Sequence, residues 1–89
     1  MDWKDYSFVR RSELRLTLLK SLATKEKTPS QLKDELKKSI ALISRYLIQL
    51  KNRGIVKTLT GDERMWKIYA ITQKGDDILT RIKNEFKSN

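Results

Sequence analysis

Three side chains with hydrogen-bonding capacity, Ser44, Arg45 and Gln49, fall within two turns of one predicted helix, residues 39–53. At 100° per residue they gather with Ala41 and Asn52 on one side. Ile40, Ile43, Tyr46, Leu47 and Leu50 gather on the other, which can pack. A side made of small and polar residues with a single arginine can approach a surface closely. Arginine and glutamine donate to the edges of DNA bases, and small residues let a helix sink into the major groove. The same pattern also fits an ordinary amphipathic helix with a solvated back, so the rest of the chain has to decide.

Other chemistry is poorly supplied. The 89 residues include no histidine and no cysteine. That removes the commonest general base, thiolate metal sites and disulfides. Neither a metal nor any other cofactor is expected, since zinc, copper or nickel would have to rely on carboxylates alone. Asp62-Glu63 sits in a turn, and Asp76-Asp77 opens a helix, where acids suit the helix dipole. No Gly-rich phosphate loop is present, and catalysis is not expected. No apolar run approaches the length of a membrane span, MDWKDYSF does not read as a signal peptide, and a cytoplasmic protein is expected.

Net charge is +9. A balance this basic suggests a polyanionic partner, nucleic acid first. The excess is uneven: residues 1–27 carry 7 basic and 4 acidic groups, 28–54 carry 6 and 2, 55–71 carry 3 and 2, and 72–89 carry 4 and 3. It is highest on residues 28–54 and the segment before them.

The elements that would position these residues follow from the sequence. Residues 3–24 read as a helix, with a possible interruption near Arg10 to Ser12. Leu14, Leu18, Leu19 and Leu22 form its apolar stripe, extended by Phe8. Trp3, Tyr6, Val9 and Leu16 lie off the stripe and suggest a second apolar surface or, for Trp3 and Tyr6, a cap over one end of the core. Arg15 falls within the stripe; it either snorkels past the core edge or pairs with an acid. A short strand at Lys27 and Thr28 is conceivable. Thr28-Pro29-Ser30-Gln31 is a capping box with proline at the first helical position, and it starts a second helix. Ser39 caps the third, and Gly54 suits the left-handed residue that ends it. Residues 55–60 and 66–71 read as the two strands of a hairpin around a polar tip at Gly61 to Arg64. Alternation puts Tyr69 and Ile71 on one face, Ile68 and Ala70 on the other. Thr72 can cap a last helix from Gln73 to about Lys87, with Ile78, Leu79, Ile82 and Phe86 on one face. That face could cover the first helix, or it could form a homodimer contact with Ile82 and Phe86 foremost.

This order, mainly α with a β-hairpin (α-α-α-β-β-α), is that of a winged helix-turn-helix domain. One domain over residues 1–89 is expected, with the helix-turn-helix at 28–54, the wing at 55–71 and a C-terminal helix at 72–88. The chain resembles small archaeal winged-helix transcriptional regulators of the broad ArsR/MarR type. The resemblance rests on RSELRLTLLKSL, TPSQLKDELKKS, LISRYLIQLKNRGIVKTLT and IYAITQKGDDIL, and covers residues 10–80. It implies that the helix 39–53 enters the major groove of double-stranded DNA, with Ser44 and Arg45 at the surface beside Ser39, Ala41, Leu42 and Gln49. The wing, Gly61 to Lys67, would reach phosphates or the minor groove, with Arg64 as the minor-groove probe and Lys57 and Lys67 on phosphate. Ser30 and Gln31 at a helix N-terminus, and Lys37 and Lys38 in the turn, would also meet phosphate. A homodimer is expected, with Trp3, Tyr6, Leu16, Ile82 and Phe86 as candidate contacts. Where this family commonly has glycine in the turn, Lys37-Lys38 stands instead. Leu42 and Ile48 border the supposed DNA face, where they could contact thymine methyls or a protein; Met65 and Trp66 could anchor the hairpin. The alternatives to a sequence-specific regulator are a protein-interaction winged helix in transcription or replication machinery, motivated by Leu42, Ile48 and Trp66, and a non-specific architectural DNA binder, motivated by net charge.

Overall fold

The computed structural model describes residues 2–59 and 67–87, the last two of these by backbone alone. The order is α1 (Trp3–Arg10), α2 (Glu13–Thr24), α3 (Pro29–Leu36), α4 (Ile40–Asn52), β1 (Val56–Thr58), β2 (Tyr69–Ile71) and α5 (Gln73–Lys87). It is a mainly helical winged helix-turn-helix fold, as the sequence leads one to expect.

The helical segment 3–24 is interrupted between Arg10 and Glu13, where the sequence offers a break, and forms two helices. Ser12 adopts an extended backbone, and its Oγ accepts from the Arg15 amide at 3.3 Å, so it caps a new helix and ends continuity with α1. Asp2 caps α1 in the same way, accepting from Lys4 N at 2.9 Å.

The capping box on α3 is complete: Thr28 Oγ1 accepts from Gln31 N at 3.2 Å, and Gln31 Oε1 accepts from Thr28 N at 2.8 Å. α3 stops at Lys37, which takes the left-handed conformation (φ 57°, ψ 47°) that glycine fills more easily. Ser39 then caps α4, accepting from Leu42 N at 3.2 Å, and Gly54 (φ 74°) lets the chain leave it.

Among the described residues the hairpin pairs Val56 with Ile71, Lys57 with Ala70 and Thr58 with Tyr69, and Leu59 N donates to Ile68 O at 2.8 Å beyond them; residues 60–66 of the expected strands and tip lie outside the described residues. A two-stranded ribbon needs outside support. It receives it from Lys27, which bridges Tyr69 antiparallel with bonds of 3.0 and 2.8 Å. Lys27 Nζ also donates to Ser21 Oγ and Glu35 Oε1, each at 2.7 Å, which ties the base of the wing to α2 and α3.

One core fills the space between the helices. Val9, Leu18, Leu19, Leu22, Leu32, Ile43, Leu47, Leu50, Ile55, Ile78 and Ile82 are essentially without solvent contact. α5 packs back onto α1 and α2, and its first turn carries a glycine that packing demands. A Cβ on Gly75 would strike the Ile55 carbonyl oxygen and lie 2.8 Å from Ile71 Cγ1.

Three expectations are corrected here. Ile82 is fully buried in the protomer's own core, and Tyr6 nearly so, which leaves neither with a surface to offer a second copy. Leu16 is half-buried against the same core. Arg15 neither snorkels nor finds an acid: its guanidinium stacks 3.6 Å over the Phe8 ring and donates to Phe8 O at 2.9 Å and Gln49 Oε1 at 3.3 Å.

Candidate nucleic-acid interface

α4 buries Ile43, Leu47 and Leu50 and leaves an arc open. Going round the helix from its wing side, the arc holds Ile40, Lys51, Ser44, Ile48, Ala41, Asn52 and Arg45, about 140° in all. Ile40 and Ile48 are 43% and 51% exposed. Arg45 is exposed and, among the described residues, has no hydrogen-bond or ion-pair partner. Ile40 was expected on the packing side. It is instead the first residue of α4, one turn below Ser44 and two below Ile48, at a spacing that puts all three on one edge.

That edge walls a groove of about 650 Å³, whose other sides are Pro29 and Ser30 at the start of α3 and Tyr69 and Lys67 on the wing. α4, the base of the wing and the N-terminus of α3 therefore face one space. Ser30 lies where the resemblance puts a phosphate. Gln31 and Thr28 do not offer free amides there, because the capping box engages both. This corrects the expectation for the Gln31 backbone; its side-chain Nε2 is left to donate.

The other expected contacts divide. Ser39, Ala41 and Ser44 lie at the open N-terminal half of α4. Leu42 and Gln49 turn to the opposite flank and are half-buried. Since Gln49 Oε1 accepts from Arg15, Gln49 links α4 to α2, a correction to its expected place among base readers. Lys37 and Lys57 are exposed. Lys38 is exposed too, but it shares a hollow with Glu13, Leu14 and Leu36 on the α2 side of the turn. Arg64, Met65, Trp66 and the wing tip lie outside the described residues, as does the Phe86 side chain. Trp3 is 55% exposed, edge-on to Tyr6 at 5.2 Å and covered in part by the Arg81 guanidinium at 4.9 Å; it is not a cap over the core.

One signal in the sequence could have located this face sooner. Residues 36–61 contain no acid and six cations: Lys37, Lys38, Arg45, Lys51, Arg53 and Lys57. Two acids of the described residues, Asp5 and Glu35, are held by neighbours. Burial opposes ionisation of Asp5, which is 4% exposed, but hydrogen bonds from Lys74 and from Arg53 (3.0 Å) outweigh it and hold the carboxyl below its ordinary range. Glu35 is lowered likewise, by hydrogen bonds from Lys27 and Ser21. The open arc of α4 thus meets solvent with positive charge. Among the described residues no group of three or more His, Cys, Asp or Glu could hold a metal ion. No described helix is long and apolar enough to cross a membrane.

Comparison with known proteins agrees with this geometry. No curated protein sequence matches the chain. Among solved structures, it superposes on a cysteine mutant of MarR from E. coli complexed with operator DNA, with TM-score 0.76 and 20% identity over 91% of this chain and 59% of that one. For the adhesin competence repressor AdcR of Streptococcus pyogenes the TM-score is 0.73, with 13% identity over 84% and 57%. For a Lactococcus lactis ZitR mutant in complex with DNA it is 0.71, with 18% identity over 82% and 51%. At these identities the likeness is one of fold, and the chain spans between half and three-fifths of each of these proteins. Residues 12–58, from the cap of α2 to the end of β1, match the family described as bacterial regulatory protein, arsR family; the chain belongs to that family.

Proposed function

We propose that this chain is a sequence-specific double-stranded-DNA-binding transcriptional regulator of the cytoplasm, and not an enzyme. α4 enters the major groove. Ser44 and Arg45 meet base edges, Ala41 allows close approach, and Ser39 sits at the helix entrance. Ser30, Lys37, Lys38, Lys57 and Lys67 meet phosphate, with Arg64 of the wing in the minor groove. The observation that carries this reading is the open, acid-free arc of α4, with Arg45 at its outer edge and without a partner among the described residues. Arg45 is placed to make the bidentate contact with guanine that arginine favours. The arsR-family match and the DNA-bound MarR and ZitR structures of like fold support it. The likeness to small archaeal members rests on the sequence resemblance alone.

The chain acts as a homodimer in this reading, with Trp3 as the exposed apolar residue on the α1 side and Phe86 as the remaining candidate. Two copies of α4 would then read half-sites about 34–36 Å apart. The test is selection of bound duplexes from a random-sequence pool at about 150 mM salt. An enriched inverted repeat is expected, and its half-site spacing gives the distance between recognition helices. Retention of duplexes without enrichment would instead identify an architectural binder. No retention at all would favour a protein-interaction module, the reading that the exposed Ile40 and Ile48 otherwise support.

A further inference from the structure

Two isoleucines on the open arc of α4 lie outside the core formed by the described residues. Ile40 and Ile48 are 43% and 51% exposed, on the helix whose opposite side builds the core. A solvated helix back would carry charged or amide side chains there. Ser44 lies between them and the cation Arg45 beyond Ile48, in a stretch with no acid between residues 36 and 61. An apolar protein partner would have to bury this positive charge. A polyanion with apolar knobs on its accessible edge would satisfy charge and isoleucines together. The major groove is such an edge: thymine alone among the four bases presents a methyl group there.

We propose that Ile40 and Ile48 read thymine C5-methyl groups, so that the half-site carries two methyl-sensitive thymines within about four base pairs of each other. The inference rests on the DNA-binding reading above and names the bases it selects. The spacing follows from helix geometry. Eight residues at 1.5 Å each separate the two side chains by about 12 Å along α4, against about 3.4 Å per base pair. The groove between Ile48 and the wing keeps Ile40, Ser44 and Ile48 on one wall, so the methyl contacts lie on the wing side of the base that Arg45 reads. Leu42 is excluded from this role because it turns to the other flank and is half-buried.

The experiment uses the full chain and the enriched duplex, with each thymine replaced in turn by uracil, which keeps the base pair and removes only the methyl. Uracil at two positions within about four base pairs should each weaken binding about fourfold, the worth of one buried methyl group. Ile48→Ala should weaken the parent duplex similarly and become indifferent to uracil at one of the two positions; Ile40→Ala should become indifferent at the other. Both side chains are exposed, so neither truncation opens the core. Uracil without effect at every position, on a duplex that still depends on Arg45, would overturn the methyl reading and leave DNA binding standing. A pool that yields no enriched duplex would overturn both. Uracil sensitivity that persists unchanged in both isoleucine variants would assign the methyl contacts to other residues and reject the proposal.

Discussion

The two sides of α4 carry neighbouring residues with opposite fates. Leu47 is fully buried and Ile48 is half exposed. Arg53 is held at the helix end, its guanidinium 3.9 Å from the Phe8 ring and donating to Asp5 at 3.0 Å. Arg45, two turns earlier, has no such partner among the described residues. Arg15 stacks on the same Phe8 ring at 3.6 Å, so one ring takes both guanidinium groups. Positive charge in this chain therefore does two jobs. Near α1 it fastens the recognition helix to the scaffold. Along the outer arc it is left without a partner among the described residues. Composition counts both kinds alike, which is why net charge alone could not distinguish a DNA reader from a lysine-rich soluble domain.

The sharpest way to test this division is a pair of adjacent truncations. Leu47→Ala removes a core side chain packed from α4 and should cost about 2–5 kcal/mol of stability. Ile48→Ala, one residue on, should stay within about 0.5 kcal/mol of the parent. Urea unfolding followed by circular dichroism reads both. Equal losses would mean that the outer arc is packed after all and not open to a partner.

The two arginines make a second pair. Arg53→Ala leaves the buried Asp5 carboxylate with Lys74 alone. Because Arg53 and Lys74 are each about two-fifths exposed, the loss should fall below that of a fully buried pair, at about 1–2 kcal/mol. Arg45→Ala should leave stability unchanged but cost about 1–3 kcal/mol in binding to the preferred duplex, and relax selectivity at one base pair. Thermal unfolding together with titration of the selected duplex reads both sides. A destabilised Arg45→Ala, or an Arg53→Ala that loses binding without losing stability, would erase the distinction.

Much of this arrangement was legible in advance, for reasons that are local. Thr28, Pro29, Gln31, Ser39 and Gly54 specify helix ends by chemistry within four residues, and each does so in the structure. The break before α2 was visible only as a doubt, because Ser12 competes with a continuous apolar stripe. What stayed hidden was long-range. Gln49 reads as a donor facing out until Arg15, 34 positions away, claims its carbonyl. Ile82 reads as a dimer contact until the chain's own core closes over it. Ile40 reads as core on a wheel, but it is the first residue of α4, where the helix has not yet reached the core. Helical periodicity assigns a side chain to a direction; only the partner element decides whether anything stands there.

Acid should act on the fastened side alone. Asp5 has its pKa depressed in the folded chain, so its contribution is complete above the unfolded value, about 3.9, and is lost as pH falls through the lower folded one. Glu35, lowered by Lys27 and Ser21, adds a second contribution of the same sign. The melting temperature should therefore vary little on account of these groups from about pH 5 to 8 and fall below about pH 4. Asp5→Asn should lower the plateau and flatten the acid slope. A variant with the parent's full acid slope would show that Asp5 does not carry the linkage.

The smallest effect tests the turn that joins the two helices. Lys37 holds φ 57°, ψ 47° to end α3, donating from its amide to Lys33 O at 2.8 Å. A left-handed backbone costs a residue with a Cβ roughly 1–2 kcal/mol, while glycine loses about 0.4–1 kcal/mol through its freer unfolded chain. Lys37→Gly should therefore stabilise the protein, by up to about 1 kcal/mol. The same change removes an exposed cation beside α4. If Lys37 meets a phosphate, affinity should drop for every duplex alike, and the salt dependence should lose about one unit of slope. Stability and binding would then move in opposite directions in one variant, because a strained backbone position is occupied by a residue useful only to the partner. A more stable variant with unchanged salt slope would keep the backbone argument and remove Lys37 from the interface. A less stable one would mean that the lysine side chain contributes more to the fold than its left-handed backbone costs.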